Sequence, residues 1–193
     1  AASSIAASNA GNYDLHLALH SNAVGSGQQS TVRGIDAYYY PASVNGKRFA
    51  DIAANNLQLI YPLPGMVKTV PTTRLGEVAR VRAPGVLIEL GYHDNPLDAD
   101  WIRNNINNIA ENLVLSLTEY FGIPFNMPQP IQVGYVSTEG SNLNIRSRPD
   151  IGAPIIGKIP NGSEILIYNR LPEWDLAGYG GVMGYVSSRY VAV

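Results

Sequence analysis

Residues 84–96, PGVLIELGYHDNP, hold the segment on which the fold turns. Val86, Leu87, Ile88 and Leu90 make a nearly continuous apolar run, the pattern of a strand buried on both faces. Such a strand belongs to a layered α/β fold with helices covering its sheet. Glu89 is the one polar residue in the run. A lone carboxylate buried there costs several kcal/mol unless it is paired, protonated or associated with a metal. Ligands of open α/β sheets bind just outside the carboxyl ends of the strands, where Glu89 would lie. Two readings stay open: a functional carboxylate, or a structural one paired with Arg80 or Arg82.

Working outward, Asn95 and Pro96 are N-cap and first-turn residues of a helix expected to run to about Phe121. It would bury Ile102, Ile106, Ile109, Leu113 and Leu117 or Tyr120. Upstream, GIDAYYY (34–40) reads as a strand and NGKRFADIAANNLQLIY (45–61) as a helix with Phe49, Ile52, Ala53, Leu57 and Ile60 on one face. Pro62 to Thr73 reads as an irregular loop, long enough to suggest a function. The opening AASSIAASNAGN lacks the charged and apolar regions of a secretory signal. It reads as an Ala-rich helix closed by Gly11 or Asn12, starting so abruptly that the domain looks cut into.

YDLHLALH (13–20) alternates with period two and reads as another strand, followed by a polar, glycine-containing loop over 22–30. His16 and His20 share one face of it but lie about 13 Å apart along the strand. Zinc donors sit about 2 Å from the metal, so these two cannot share one ion. His20, at the strand mouth, is the candidate ligand or else a surface histidine. His16 reads as a satisfied histidine beneath the site, and His93 falls in the loop after Glu89, its role open. Ser21 adjoins His20, but no Gly-x-Ser-x-Gly elbow supports a serine triad.

Bulk composition excludes several classes. Charged residues make up 15% and the net charge is −2, with no basic stripe, which argues against a nucleic-acid partner. No apolar run reaches membrane-spanning length. Cysteine is absent, removing disulfides, thiolate ligands and a cysteine nucleophile together. Twelve tyrosines suit a surface that touches sugars or peptides, though tyrosine is also common core material.

GIPFNMPQP (122–130) carries three prolines and reads as a short, stiff linker. Beyond it seven short β runs recur, punctuated by turns such as Pro160-Asn161-Gly162 and Gly180-Gly181, and they predict a small all-β barrel. The Asn161-Gly-Ser glycosylation triplet reads simply as a hairpin turn.

DLHLALHSNA (14–23), GIDAYYY and APGVLIELGYHDNPLDADWI (83–102) together resemble the zinc-dependent N-acetylmuramoyl-L-alanine amidases of bacterial cell walls. The resemblance covers roughly residues 1–122 and implies an amidase-type layered fold with a mostly parallel sheet. It places a zinc ligand at His20, from a His-x-Asn-Ala-like motif, and the catalytic glutamate at Glu89. It also implies that the other two zinc ligands, a histidine and a glutamate, precede the segment matching residues 1–12. The catalytic domain would then be N-terminally incomplete. On that expectation the chain alone binds zinc weakly and lacks activity, and a missing N-terminal half is a possible partner. LNIRSRPD (143–150), IIGKIPNGSEILI (155–167) and GYVSSRYV (184–191) resemble a bacterial SH3-like domain, a module that commonly follows wall hydrolases and binds peptidoglycan.

The organisation expected is therefore an amidase domain over 1–122, a linker over 123–130 and an SH3-like wall-binding domain over 131–193. The expected reaction cleaves the amide between N-acetylmuramic acid and L-alanine, in a secreted or wall-associated protein. A non-catalytic wall-binding protein that keeps an amidase remnant is the alternative. Asn22, Trp174 and Tyr179 are candidate substrate-binding residues, while Tyr135, Tyr168 and Tyr185 read mostly as barrel core.

Overall fold

The computed structural model describes every residue except Ala1, Ser26, Gln28 and Pro128. Those four include the first residue of the expected opening helix and one of the linker prolines, which lie outside the described residues. The chain divides into two compact units, Ala1–Gly122 and Ile123–Val193.

The first unit contains helices α1 (Ala2–Ala10), α2 (Val44–Gln58), α3 (Gly76–Ala79), α4 (Pro96–Asn104) and α5 (Ile106–Phe121). Its strands are β1 (His16–Asn22), β2 (Ile35–Tyr39), β3 (Val67–Pro71) and β4 (Gly85–Tyr92), in sheet order β1-β4-β2-β3. The sheet is mixed: β1 runs parallel to β4 and β2 parallel to β3, while β2 and β4 are antiparallel. β4 is interior, and Val86, Leu87 and Ile88 are buried as their continuous run requires. On one face, Ile35, Ala37, Val86 and Ile88 pack with Phe49, Ala53 and Leu57 of α2 and with Ile109 and Leu113 of α5. Burying Phe49 and Leu57 completely contributes about 1.5–3 kcal/mol each. The opposite face is thinner, with Ala18, Leu87 and Val78 of α3 buried together.

Two expectations need correcting here. The segment from Pro62 to Thr73 is not irregular throughout: a single 3₁₀ turn at Pro64–Met66 leads into β3. As a five-residue edge strand containing Lys68 and ending at Pro71, β3 lacks the apolar continuity by which an interior strand is recognised. The long helix is broken at Asn105, whose backbone leaves the helical region at φ −124°. Its side chain donates to the Trp101 carbonyl at 2.9 Å. The break turns Ile106 outward, to 62% exposure, while Ile109, Leu113 and Tyr120 stay buried. The short α3 has no signature at all in the helical periodicity.

The second unit is a seven-stranded, all-antiparallel sheet. Its strands are β5 (Gln132–Val136), β6 (Leu143–Arg146), β7 (Ile155–Ile159), β8 (Glu164–Arg170), β9 (Trp174–Tyr179), β10 (Val182–Ser187) and β11 (Val191–Ala192). All seven short runs of the sequence are strands. Their core is aliphatic: Val136, Leu143, Ile145, Ile159, Ile165, Ile167 and Val186. Tyr185 is buried as expected, but Tyr135 is 50% exposed and Tyr168 half-buried. Tyr135 lies on the outward face of β5, next in sequence to the buried Val136, where strand alternation puts it. Before β5 the Met127 carbonyl accepts a hydrogen bond from Asn169 at 2.8 Å.

Candidate functional site

The site is assembled at one end of β1 and β4. Because the two strands are parallel and in register, His20 lies beside Glu89. On the other side of β4, Asp36 of β2 is the cross-strand partner of Glu89. Alternation along β4 sends Ile88 into the α2 core and Glu89 to the thin face, where the buried cluster is only Ala18, Leu87 and Val78.

Glu89 makes no ion pair among the described residues, and its Oε2 is buried with no hydrogen-bond partner. No ion pair or hydrogen bond among the described residues joins Glu89 to Arg80 or Arg82, and the Arg82 guanidinium donates instead to the Asn9 carbonyl at 3.3 Å. Burial holds the Glu89 carboxyl above its ordinary range and Asp36 reinforces this, while His20 and His93 pull in the other direction. On the same face, burial and Asp36 push the Tyr38 phenol up to about 12, and Tyr38 donates to Asp36 at 3.2 Å.

His20 has 44% of its side chain exposed, and its Nε2 lies 3.0 Å from Oε2 of Glu77. Glu77, on α3, has only 8% of its surface exposed, and its other oxygen accepts from the Ser4 hydroxyl at 2.6 Å. The donors from Ser4 and His20 outweigh burial and hold the Glu77 carboxyl below its usual range. His16 is not the satisfied histidine expected. Its Nε2 is buried with no hydrogen-bond partner among the described residues, 3.9 Å from Glu77.

The rim is built by the loop after β1 and the turn after β4. Asp94 accepts from the Val24 amide at 2.7 Å and Asn95 donates to the Ser30 carbonyl at 2.7 Å. The Asn22 side chain turns back onto the Ala23 amide at 2.9 Å, and its carbonyl accepts from the His93 amide. His93 Nδ1 lies 3.0 Å from Ser21 Oγ, so the serine beside His20 meets the third histidine instead. Beneath this rim Asp98, fully buried, accepts from Arg33 and Tyr61 at 2.7 Å each and from the Gly34 and Tyr92 amides.

Between His20 and Asn22 the register slips, so that Asn22 lies opposite Tyr92 and β4 contains one residue more than β1. Gly91 sits in this bulge at φ +117°, with Asp98 close behind it.

A zinc-type site needs three protein donors and an open position. Here His20 fits as a nitrogen donor at an open mouth, with an unpartnered carboxylate beside it. Among the described residues no group of three His, Cys, Asp or Glu could hold a metal ion. These residues would fill at most one position of such a shell, through His20. Neither Glu77 nor Asp36 was singled out from the sequence. Asp36 interrupts an apolar strand much as Glu89 does and could have been noticed; nothing marks Glu77.

In the second unit, Trp174 is half-buried at the start of β9 and forms a wall of a cavity of about 360 Å³, with Asn144, Arg146 and Arg189. It also borders a neighbouring cavity of about 640 Å³ that includes Pro172 and Ser188. Tyr179, at the other end of β9, lines a separate cavity with Tyr168 and Met183.

Comparison with known proteins follows this division. The family of N-acetylmuramoyl-L-alanine amidases matches residues 2–119, and the bacterial SH3 domain matches residues 141–192. No curated protein matches the chain. Among solved structures, the catalytic domain of an endolysin targeting Clostridia Difficile is 25% identical with a TM-score of 0.53, covering 61% of each chain. An N-acetylmuramoyl-L-alanine amidase from Clostridium difficile 630 is 19% identical with a TM-score of 0.54, covering 63% of this chain and 64% of that one. The catalytic domain of CwlV, an amidase from Bacillus (Paenibacillus) polymyxa var. colistinus, is 21% identical with a TM-score of 0.52, covering 62% and 64%. The chain thus spans somewhat less than two thirds of the length of these three solved structures. With a family match over 118 of its 193 residues, the chain belongs to the N-acetylmuramoyl-L-alanine amidase family.

Proposed function

We propose that the chain acts in hydrolysis of the amide between N-acetylmuramic acid and the L-alanine of the peptidoglycan stem peptide. The observation that carries this reading is the buried, unpartnered Glu89 Oε2 beside the exposed His20 at a strand mouth. A carboxyl raised by burial is a competent proton acceptor, because its basicity is closer to that of the group it must deprotonate. Glu89 takes a proton from the attacking water as the water oxygen bonds to the scissile carbonyl carbon. When the C–N bond breaks, Glu89 passes that proton to the departing alanine nitrogen. The products are a carboxylic acid on the muramic side and a free amine on the peptide.

Zinc, when bound, would polarise the scissile carbonyl and lower the pKa of the water. His20 would be one of its ligands, and Asn22 would border the substrate. In domain terms, residues 1–122 carry the catalytic portion, 123–130 link it, and 131–193 hold the wall, with Trp174 and Tyr179 as contact residues. Peptidoglycan as the ligand of both parts implies action outside the cell or at its wall. No helix among the described residues is long and apolar enough to cross a membrane.

The deciding experiment is Glu89→Gln in the active, metal-loaded enzyme, with peptidoglycan amide cleavage and bound zinc both measured. The expected result is loss of hydrolysis by about 10²–10⁴-fold with zinc content unchanged. Retention of a tenth of the activity or more would remove Glu89 from the role of base.

A further inference from the structure

Glu77 stands apart from the expected machinery. It is contributed by α3, a four-residue helix, and reaches the thin face of the sheet between two histidines of β1. One oxygen lies 3.0 Å from His20 Nε2, and the other accepts from Ser4 at 2.6 Å. The second oxygen is also the nearer one to His16, at 3.9 Å. Only 8% of Glu77 is exposed, so this carboxylate has little water with which to exchange these partners.

We propose that Glu77 is a positioning residue that fixes the ring plane and tautomer of His20. It does so by accepting a hydrogen bond from Nε2–H, which leaves Nδ1 as the ring's free lone pair. The argument is one of donor and acceptor inventory. At neutral pH a glutamate carboxylate only accepts hydrogen bonds. A contact of 3.0 Å to it therefore requires the imidazole proton on Nε2. A neutral imidazole carries one N–H, so Nδ1 must be the acceptor nitrogen. Any metal ion or substrate proton that His20 engages is then engaged through Nδ1. Without Glu77, the half-exposed ring would sample both tautomers and more than one rotamer. Carboxylates that hold ligand histidines in this way commonly set both ring orientation and ligand basicity.

The inference rests on His20 being the functional histidine, as proposed above, but its test does not depend on amidase activity. The chain has only three histidines, so ring nitrogen signals can be assigned in ¹⁵N-labelled full-length protein. Long-range ¹H–¹⁵N correlation above the histidine titration range should show a protonated, pyrrole-type Nε2 and a pyridine-type Nδ1 at His20. In Glu77→Ala the two nitrogens should move towards the averaged shifts of a mixed tautomer population. Glu77→Gln, whose amide oxygen can still accept from Nε2–H, should keep the wild-type pattern. An Nδ1–H tautomer in the wild type would overturn the proposal, and that measurement needs no variant to fold. So would an unchanged His20 pattern in Glu77→Ala. Should Glu89→Gln leave hydrolysis intact while the tautomer result holds, the proposed reaction fails and the positioning of His20 stands.

Discussion

His20 and Glu89 are cross-strand partners in a parallel pair, so neither the loops nor the helices decide their proximity. The backbone ladder does. The carboxylate beside that histidine has one buried oxygen with no hydrogen-bond partner among the described residues, and its carboxyl is held above the usual glutamate range chiefly by burial.

This gives Glu89 a pH signature. The proton-accepting form is reached only as pH rises through the raised pKa. The acid limb of kcat/KM against pH should therefore lie above the ordinary glutamate value of about 4.3. An acid limb at or below that value would place the base elsewhere.

The same shift has a stability consequence of definite sign. Between the unfolded and folded pKa values the native state holds more protons than the unfolded chain, so stability falls as pH rises through that window. The cost persists at neutral pH, and Glu89→Gln should remove it and raise Tm there. At a pH below the unfolded pKa the two proteins should melt alike. A lower Tm for the variant at neutral pH would mean that the carboxylate sits in a stabilising pair.

Asp98 behaves oppositely. Burial disfavours its charge, but the donors from Tyr61, Arg33, Tyr92 and Gly34 win and hold its carboxyl below the usual range. Its contribution is therefore present above the unfolded pKa of about 3.9 and is lost as pH falls through the lower, folded value. Asp98→Ala leaves Arg33 and Tyr61 without their acceptor and should destabilise the first unit by about 3–5 kcal/mol at neutral pH. Chemical denaturation read at neutral and acidic pH checks both the size and its disappearance in acid.

Gly91 gives a test of the bulge. At φ +117° an L side chain is strained, and an added Cβ would sit 3.3 Å from Asp98 Oδ2. Gly91→Ala should cost about 1–3 kcal/mol. Because the bulge sets the register beyond His20 and Glu89, amide cleavage should fall by more than the folded fraction does. Equal losses in the two would make Gly91 purely structural.

For the second unit, the cavities flanking Trp174 are the candidate contact surface. Residues 123–193 should sediment with insoluble peptidoglycan. Trp174→Ala should weaken that binding without changing the circular dichroism of the sheet, and Tyr179→Ala serves as the comparison at the far end of β9. If the unmutated fragment does not sediment, the module binds something other than the wall.

Much of this molecule was legible in its residues because the informative patterns are local. The apolar run of β4 requires burial on both faces wherever it lies. The Asn95-Pro96 start of α4 is dictated by capping and by proline's fixed φ. The seven β runs and their turns likewise follow from period-two alternation and turn chemistry. Glu89 stood out because a carboxylate in such a strand needs a reason. What the sequence could not decide depends on contacts distant along the chain. β3 becomes a strand only because β2 offers it a parallel edge. Asp36 reaches Glu89 only through an antiparallel register, and Glu77 reaches His20 from 57 residues away. Nothing in RLGEVARV (74–81) reports that its glutamate turns inward, since a four-residue helix is too short to show a periodicity. The identity of the chemical groups was written in the chain, but their pairing and hence their protonation belong to the tertiary fold. Hydrogen-bond partners and burial are properties of the assembled sheet face, and they set which nitrogen or carboxylate holds a proton.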